Sequence, residues 1–349
     1  MSIFSSESFD GHETVAFFTD SKSGLKAIIA VHDSTLGPAL GGCRMWSYAN
    51  DEEALTDVLR LSRGMTYKNA LAGLPWGGGK AVVLGDARKD KTPEMFQALG
   101  RAVESLGGRY ITAEDVGTTP DDMFEVAKET DHVRGVKNVG HDPSPGTAFG
   151  VFKGIEATAL ARFGTKDLTG LRATVQGLGH VGYDVARRLR SAGAKLTVAD
   201  VNQDALARAE QELGATIVDP DAIYDVDADL YVPCALGATV NAGTIARLKV
   251  KAIAGAANNQ LATDEDGDAL AERGILYAPD YVINAGGVIH IFHDGPQFDQ
   301  ADAFMHIAKI GDTLGDIFKR AKRDGIATHR AADALARERL RPLVSDEAA

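Results

Sequence analysis

Apolar and polar positions alternate between two spacings along the chain. Thr14–Thr19 and Leu25–His32 are β-rich runs joined by Ser21-Lys22-Ser23-Gly24, a hairpin signal. Leu36-Gly37-Pro38-Ala39-Leu40-Gly41-Gly42-Cys43-Arg44 reads as a glycine-rich loop ending in a buried cation. Asn50, with Glu53 three residues on, resembles a capping box. Ala54, Leu55, Val58, Leu59 and Met65 then follow helical spacing, and that helix delivers Lys68. Lys80 opens the apolar run Ala81-Val82-Val83-Leu84, a strand. A helix is expected over Pro93–Leu106 and a strand over Arg109–Ala113, which runs into the loop Glu114-Asp115-Val116-Gly117.

His141-Asp142-Pro143-Ser144-Pro145-Gly146 marks a boundary, since two prolines and a glycine punctuate the chain. Beyond it, Thr147–Phe163 and Tyr183–Ala192 read as helices, and Leu171–Val175 and Lys195–Ala199 as strands. Leu230–Ala235, Val250–Asn259 and Ile275–Pro279 are strand-like, with helical stretches such as Glu265–Arg273 between them. Ala301–Arg323 and Ala327–Arg339 are the final helices. The pattern predicts an α/β protein of two domains. Residues 1–142 form the first, with a mixed sheet, and residues 143–326 the second; the helix over 327–349 returns to the first.

The length, 349 residues, suits two domains. The balance of 37 basic against 49 acidic residues, a net charge of −12, argues against nucleic acid or an anionic membrane as partner. The two cysteines, Cys43 and Cys234, fit no zinc spacing and suit a reducing compartment. The start, MSIFSSESFDGHE, reads as no signal peptide, and no apolar run is long enough to span a bilayer. A soluble cytoplasmic protein is expected.

Two stretches carry candidate chemistry. In the first, Lys68 and Lys80 stand twelve positions apart, with Gly73, Pro75 and the triplet Gly77-Gly78-Gly79 between them. A glycine loop lets backbone N–H groups approach a ligand, and two ammonium groups beside it would suit an anionic substrate. Like charges disfavour one another's protonated form, so such a lysine can serve as acid or base near neutrality. Asp115 lies where a strand ends, a usual ligand position in α/β sheets.

The second stretch is Gly177-Leu178-Gly179-His180-Val181-Gly182, set between a strand and a helix. Asp200, which ends the next strand, lies 23 positions after Gly177. This is the context of a dinucleotide fingerprint: a tight turn, close backbone approach and a helix N-terminus for the pyrophosphate. Asp200 would accept from the ribose hydroxyls and repel a 2′-phosphate, favouring NAD over NADP. Gly255, Asn258, Asn259, Asn284, Gly286 and Gly287 gather at later strand ends. They fit contacts to a nicotinamide or a substrate amine, and equally plain turn chemistry.

Taken together, Gly41-Gly42-Cys43-Arg44, Met65–Asn69, Leu74–Lys80, Thr112–Gly117, Gly177–Gly182, Ala254–Leu261 and Ala278–Val288 resemble one family over nearly the whole chain. It is the NAD-dependent amino acid dehydrogenases of the glutamate/leucine/phenylalanine/valine group, and within it the leucine enzymes are most similar. The resemblance implies a substrate domain, a Rossmann domain, a cleft between them and a homo-oligomer. It implies reversible oxidative deamination of an apolar L-amino acid, with leucine, valine and isoleucine favoured, to the 2-oxo acid, ammonia and NADH. It gives Lys68 the substrate carboxylate, Lys80 the carbonyl and the water, and Asp115 the proton of the amino group. Gly41 and Gly42 would line the substrate, and Thr147 with Asn258 or Asn259 would sit by the nicotinamide. Cys234, Ala235 and Asn284 join His180, Val181 and the fingerprint glycines on the cofactor side.

Glutamate enzymes carry a lysine where this chain has Leu40. Leu40 is therefore expected to make an apolar wall, with Ala113 leaving space beside it and Val288 and Ile291 closing it. His290 departs from the asparagine usual in the leucine enzymes and is more like the phenylalanine enzymes. The chain also ends soon after Arg341, without the longer tail of many relatives.

Overall fold

The computed structural model describes residues 3–136, 142–235, 237–295 and 297–341. The chain divides into two units. One is Met1–His141 with Asp294–Gln297 and Ala336–Ala349; the other is Asp142–His293 with Phe298–Leu335.

The first unit runs β1 (Thr14–Asp20), β2 (Leu25–Asp33), β3 (Ala39–Trp46), α1 (Asp51–Leu71), β4 (Gly77–Leu84), α2 (Pro93–Glu104), β5 (Tyr110–Glu114) and α3 (Pro120–Val126). Its sheet has the order β1-β2-β4-β3-β5. β1 and β4 pair antiparallel with β2, while β4 and β5 pair parallel with β3, the mixed sheet that a hairpin followed by βα units produces. Strand alternation divides the core. Ile29, Cys43, Met45, Ala81 and Val83 meet Phe96 and Leu99 of α2 and Met123 of α3. Ile28, Ala30 and Val82 on the other face meet Ala54, Val58 and Leu59 of α1. Each fully buried aliphatic or aromatic side chain contributes about 1.5–3 kcal/mol, which fixes α1 on its face of the sheet. Asn50 caps α1 by accepting from the amide of Glu53 at 2.9 Å.

Two stretches read as glycine loops are strands. The Gly77–Gly79 triplet lies inside β4, and the chain from Ala39 onward is β3. The glycines are there for packing. A Cβ on Gly78 would stand 2.0 Å from the amide nitrogen of Thr66 in α1, and one on Gly79 would stand 2.7 Å from the Tyr110 ring. Their missing side chains let α1 and β5 close on the strand that carries Lys80, so the triplet is no anion-binding loop.

The second unit contains α4 (Ser144–Phe163), β6 (Arg172–Gln176), α5 (His180–Ser191), β7 (Lys195–Ala199), α6 (Gln203–Leu213), β8 (Thr216–Ile217), β9 (Leu230–Pro233), α7 (Ala242–Arg247), β10 (Ala252–Ile253), α8 (Asp264–Glu272), β11 (Leu276–Tyr277), α9 (Asp280–Ile283), α10 (Gly286–His293), α11 (Gln300–Ala308), α12 (Ile310–Asp324) and α13 (Thr328–Arg339). Every pairing in its sheet is parallel, in the order β11-β10-β9-β6-β7-β8. The chain runs outward from β6 to β8, then returns to β9 beside β6 and runs the other way. That reversal is the switch point at which Rossmann sheets bind dinucleotides.

The strand read over Val250–Asn259 is only Ala252–Ile253. A Cβ on Gly255 would lie 2.2 Å from the Pro233 carbonyl oxygen, so the chain leaves the sheet there in contact with the end of β9. The helix read over Ala301–Arg323 breaks at Lys309 into α11 and α12.

α13 begins on the second unit, where Thr328 donates to the Tyr277 carbonyl at 2.6 Å and Arg330 pairs with Asp268. Its last turn belongs to the first unit. Arg337 Nε donates to Tyr67 Oη at 2.9 Å, and Arg339 donates to the carbonyls of Ala70 and Leu71 at 3.1 and 2.8 Å. Those carbonyls lie at the C-terminal end of α1, and that of Ala70 also accepts from the Gly73 amide at 3.2 Å.

Candidate active site

Lys80 lies in mid-strand β4 and is 5% exposed. It shares the α1 face with Val82, two residues on. The β3–β4 register pairs Leu40 with Gly78 and Cys43 with Ala81, which places Gly42 beside Lys80; Gly42 in turn pairs with Ala113 of β5. Lys80, Gly42 and Ala113 therefore form one row across three parallel strands. Leu40, 2% exposed, lies one row back between Gly78 and Ile111. A side chain on Gly42 would collide with the Glu114 carbonyl and the Asp115 Cβ, so this row admits only glycine.

Asp115 follows β5 and turns back onto the row. Gly117, at φ 82°, makes the turn; a Cβ there would also strike the Met45 carbonyl oxygen at 2.1 Å. Thr118 Oγ1 accepts from the Asp115 amide at 2.9 Å and reaches the Cys43 carbonyl at 2.8 Å, tying the loop to β3. Lys80 Nζ then lies 2.7 Å from Asp115 Oδ2, and Arg44 Nε donates to the same oxygen at 3.2 Å. Burial alone would push the Asp115 carboxyl up. The Lys80 and Arg44 charges outweigh it and hold the group well below the usual carboxylate range. Burial pushes the neighbouring Cys43 thiol up to about 12.

Lys68 stands in the last turn of α1, half-buried. The sequence named Arg44 as a buried cation and missed what holds it. Arg44 Nη1 donates to both oxygens of Asp57, at 3.2 and 2.9 Å, and Tyr48 Oη donates to Asp57 Oδ2 at 2.7 Å. The available signal was Asp57 itself, a carboxylate directly before the core residue Val58 in an amphipathic helix.

In the second unit the fingerprint residues come together at the switch point. Gly177 follows β6 at φ 94°, and a Cβ there would meet Ala235 beyond β9 at 2.8 Å. Gly182 packs the same way on Cys234, whose amide donates to the Gln176 carbonyl. Burial pushes the Cys234 thiol up to about 12. Gly179 is the N-cap of α5, has no side-chain capping bond and has open space where a Cβ would be. His180 is exposed and Val181 half-buried in the first turn of α5. Asp200 ends β7 and accepts from the Leu178 and Asn202 amides. Bare helix-start amides, an open approach and a carboxylate beside them fit a dinucleotide's pyrophosphate and ribose.

The later residues form a second group. Asn284, 6% exposed, donates to Asn258 Oδ1 at 2.7 Å and to the Ala256 carbonyl at 3.2 Å, bracing the loop after β10. Asn259 takes a left-handed φ of 51°, and its carbonyl accepts from the Ala238 amide. Both Asn258 and Asn259 are exposed. Thr147 donates to the Pro143 carbonyl at 3.1 Å, and its hydroxyl lies against Gly287. Val288 and Ile291 stand three positions apart on α10, and His290 between them is buried against Phe298.

Family models match parts of both units. The sequence model of the Glu/Leu/Phe/Val dehydrogenase dimerisation domain matches residues 12–132, and that of the Glutamate/Leucine/Phenylalanine/Valine dehydrogenase domain matches residues 199–297. Leucine dehydrogenase of Bacillus cereus is 54% identical over 340 residues, 97% of this chain and 93% of that protein. Phenylalanine dehydrogenase of Bacillus thermotolerans is 49% identical, over 96% of this chain and 90% of that one. The crystal structure of L-tryptophan dehydrogenase from Nostoc punctiforme superimposes with a TM-score of 0.85 at 46% identity, covering 95% of this chain and 96% of that one.

Proposed function

The chain belongs to the Glu/Leu/Phe/Val dehydrogenase family, and on that premise we propose that it catalyses reversible NAD-dependent oxidative deamination of an apolar L-amino acid, leucine, valine and isoleucine foremost. The observation that carries the reading is the buried Lys80–Asp115 pair, 2.7 Å apart, set in a row with Gly42 and Ala113. A lysine and a carboxylate in contact, beside a row of small residues, can exchange protons with a small substrate bound next to them.

In this reading Lys68 holds the substrate carboxylate through a charge-assisted hydrogen bond. Asp115 takes a proton from the substrate amino group on Oδ1, the oxygen not engaged by Lys80 or Arg44. Lys80 takes a proton from water as it adds to the iminium carbon; Asp115 then returns its proton to the nitrogen, the C–N bond breaks and the hydroxyl proton leaves on the ammonia, while Lys80 polarises the carbonyl oxygen that forms. Leu40 and Ala113 give the side chain an apolar wall, and Val288 and Ile291 supply its remainder. A bound nicotinamide would supply the hydride acceptor for Cα. Gly177, Gly179, His180, Val181, Gly182, Cys234 and Ala235 would hold the dinucleotide, and Asp200 would hold its adenosine ribose. Thr147, Asn258, Asn259 and Asn284 would surround the nicotinamide.

The Asp200 carboxylate favours NAD over NADP because it would face a 2′-phosphate with like charge. The family description of residues 12–132 as a dimerisation domain supports a homo-oligomer built through the first unit. Among the described residues no helix is long and apolar enough to cross a membrane, and we place the enzyme in the cytoplasm. His290 favours a second reading, aromatic amino acids, in keeping with the phenylalanine and tryptophan enzymes among the relatives.

An initial-rate panel over leucine, valine, isoleucine, phenylalanine, tryptophan and glutamate with NAD tests the proposal. Branched aliphatic substrates should lead. Highest kcat/KM on phenylalanine or tryptophan would move the assignment to the aromatic reading, and no turnover of any would end it. Lys80→Ala should lower kcat by ~10²–10⁴ while NADH still binds, and Lys68→Ala should act chiefly on KM.

A further inference from the structure

The Lys80–Asp115 pair is not isolated. Arg44 reaches it from β3, and Asp57 from α1 grips Arg44 on the far side with two hydrogen bonds. Tyr48, just beyond β3, fixes Asp57 in turn. Arg44 and Asp57 side chains are 18% and 27% exposed, so their charges are screened less than on an open surface. Four charged groups from four segments form one alternating chain: Asp57, Arg44, Asp115, Lys80.

We propose that Arg44, clamped between Asp57 and Asp115, is a positioning residue that shares the Asp115 charge with Lys80 and so frees Lys80 to exchange its proton with the substrate. The inference rests on the roles given above to Lys80 and Asp115. The argument concerns a single oxygen. Lys80 Nζ and Arg44 Nε both lie on Asp115 Oδ2. With Lys80 as sole partner, a buried carboxylate would hold that ammonium fast, because loss of its proton would strand a buried charge. With Arg44 on the same oxygen, Asp115 keeps a cation whichever state Lys80 is in. Asp57 sets how much of Arg44 is available. The groups in electrostatic contact with the pair include Cys43 and Arg44 from β3, Tyr48 beyond β3 and Tyr110 from β5, and Asp57 from α1 reaches it through Arg44. Burial keeps the Cys43 thiol and both phenols neutral.

The test is the acid limb of the kcat/KM profile for leucine, which reports the group that must lose its proton before substrate reacts. Arg44→Gln removes a positive charge and should move the limb to higher pH. Asp57→Asn removes a negative charge and should move it to lower pH, each by about one unit. The double variant should return it towards wild type, and Arg44→Lys should restore most of the Arg44→Gln loss. A purely structural role would lower rates with the limb in place. Where Arg44→Gln does not fold, Asp57→Asn and Arg44→Lys still decide. An unmoved limb in Asp57→Asn, or shifts of the same sign in both single variants, overturns the proposal. Lys80→Ala is assayed alongside: near wild-type activity there would instead remove the underlying reading.

Discussion

Asp200 accepts a hydrogen bond from the amide of Leu178, so the carboxylate that ends β7 also ties down the glycine turn that follows β6. Sequence alone gives Asp200 one task, facing the ribose. The structure adds a second, and a change of cofactor specificity has to contend with both. Val201 is 85% exposed, so an arginine is accommodated there. The double variant Asp200→Ser, Val201→Arg should raise the NADP/NAD ratio of kcat/KM. It should also bind either cofactor more weakly than wild type binds NAD, because the brace on Leu178 is lost. Titration of NADH and NADPH by fluorescence checks both parts; NADP preference in the wild type would refute the role of Asp200.

Asp115→Asn keeps the shape and removes the basic oxygen, and activity should collapse. The structure revises the expectation that stability would barely move. Asp115 is the counter-ion of the buried Lys80 and the partly buried Arg44, and removing one partner of such a group costs up to about 3–5 kcal/mol. Chemical denaturation should show that loss. Wild-type activity with unchanged stability would contradict both functions of the residue. The wild type should show the linked effect in acid. The folded Asp115 lies below its ordinary value of 3.8, so its contribution is complete above that pH and is lost as pH falls below it.

His12 should make the first unit acid-sensitive at a milder pH. It is buried, with Nε2 3.0 Å from the Leu59 carbonyl and the Ser62 hydroxyl, and its ring lies 4.8 Å from that of His32. Burial pushes His12 down to about 4 from 6.5, and His32 is also lowered. A group depressed on folding stabilises fully above its unfolded value and loses that contribution as pH falls. Stability should therefore decline from about pH 6.5 to about 4, by on the order of 2–3 kcal/mol from His12. Trp46 and Trp76 both lie in the first unit, so tryptophan fluorescence follows it alone. His12→Gln should flatten the slope; an equal slope in that variant would exclude His12 as its source.

Leu40 should exclude glutamate. It is 2% exposed and flanked by Gly78 and Ile111, one row from Lys80. A carboxylate brought against it would be buried without a partner, at a cost of several kcal/mol, whereas an aliphatic side chain gains ~1.5–3 kcal/mol. Leucine should be preferred to glutamate by far more than tenfold in kcat/KM. Leu40→Lys should abolish leucine activity. Comparable wild-type rates on the two substrates, or a fully active Leu40→Lys, would place Leu40 in the core alone.

The candidate site residues were legible because their types are few and their context is local. A glycine turn between strand and helix, with a carboxylate at the next strand's end, announces itself within a short stretch of chain. Lys80 at the start of an apolar run and Asp115 at the end of another were readable for the same reason. The glycine triplet misled, because glycine marks close approach without saying what approaches; at Gly78 and Gly79 it is Thr66 and Tyr110. The Arg44–Asp57 pair was hidden because it joins a strand to a helix. No local pattern says that Asp57, among the acidic residues of α1, turns inward to meet an arginine. The two-residue strand β8 escaped for the opposite reason: it is held by its neighbour in the sheet more than by its own sequence.

The last turn of α13 also bears on how the polypeptide is made. Arg337 and Arg339 close the end of α1, yet nearly the whole second unit lies between them and the strands they serve. During synthesis the amino-terminal sheet can assemble early, before Arg339 can donate to the carbonyls of Ala70 and Leu71. They gain these partners only when Ala336–Arg341 has left the ribosome tunnel. The unit translated first is thus the one completed last, and a fragment ending at residue 136 would lack the arginine contacts on the end of α1.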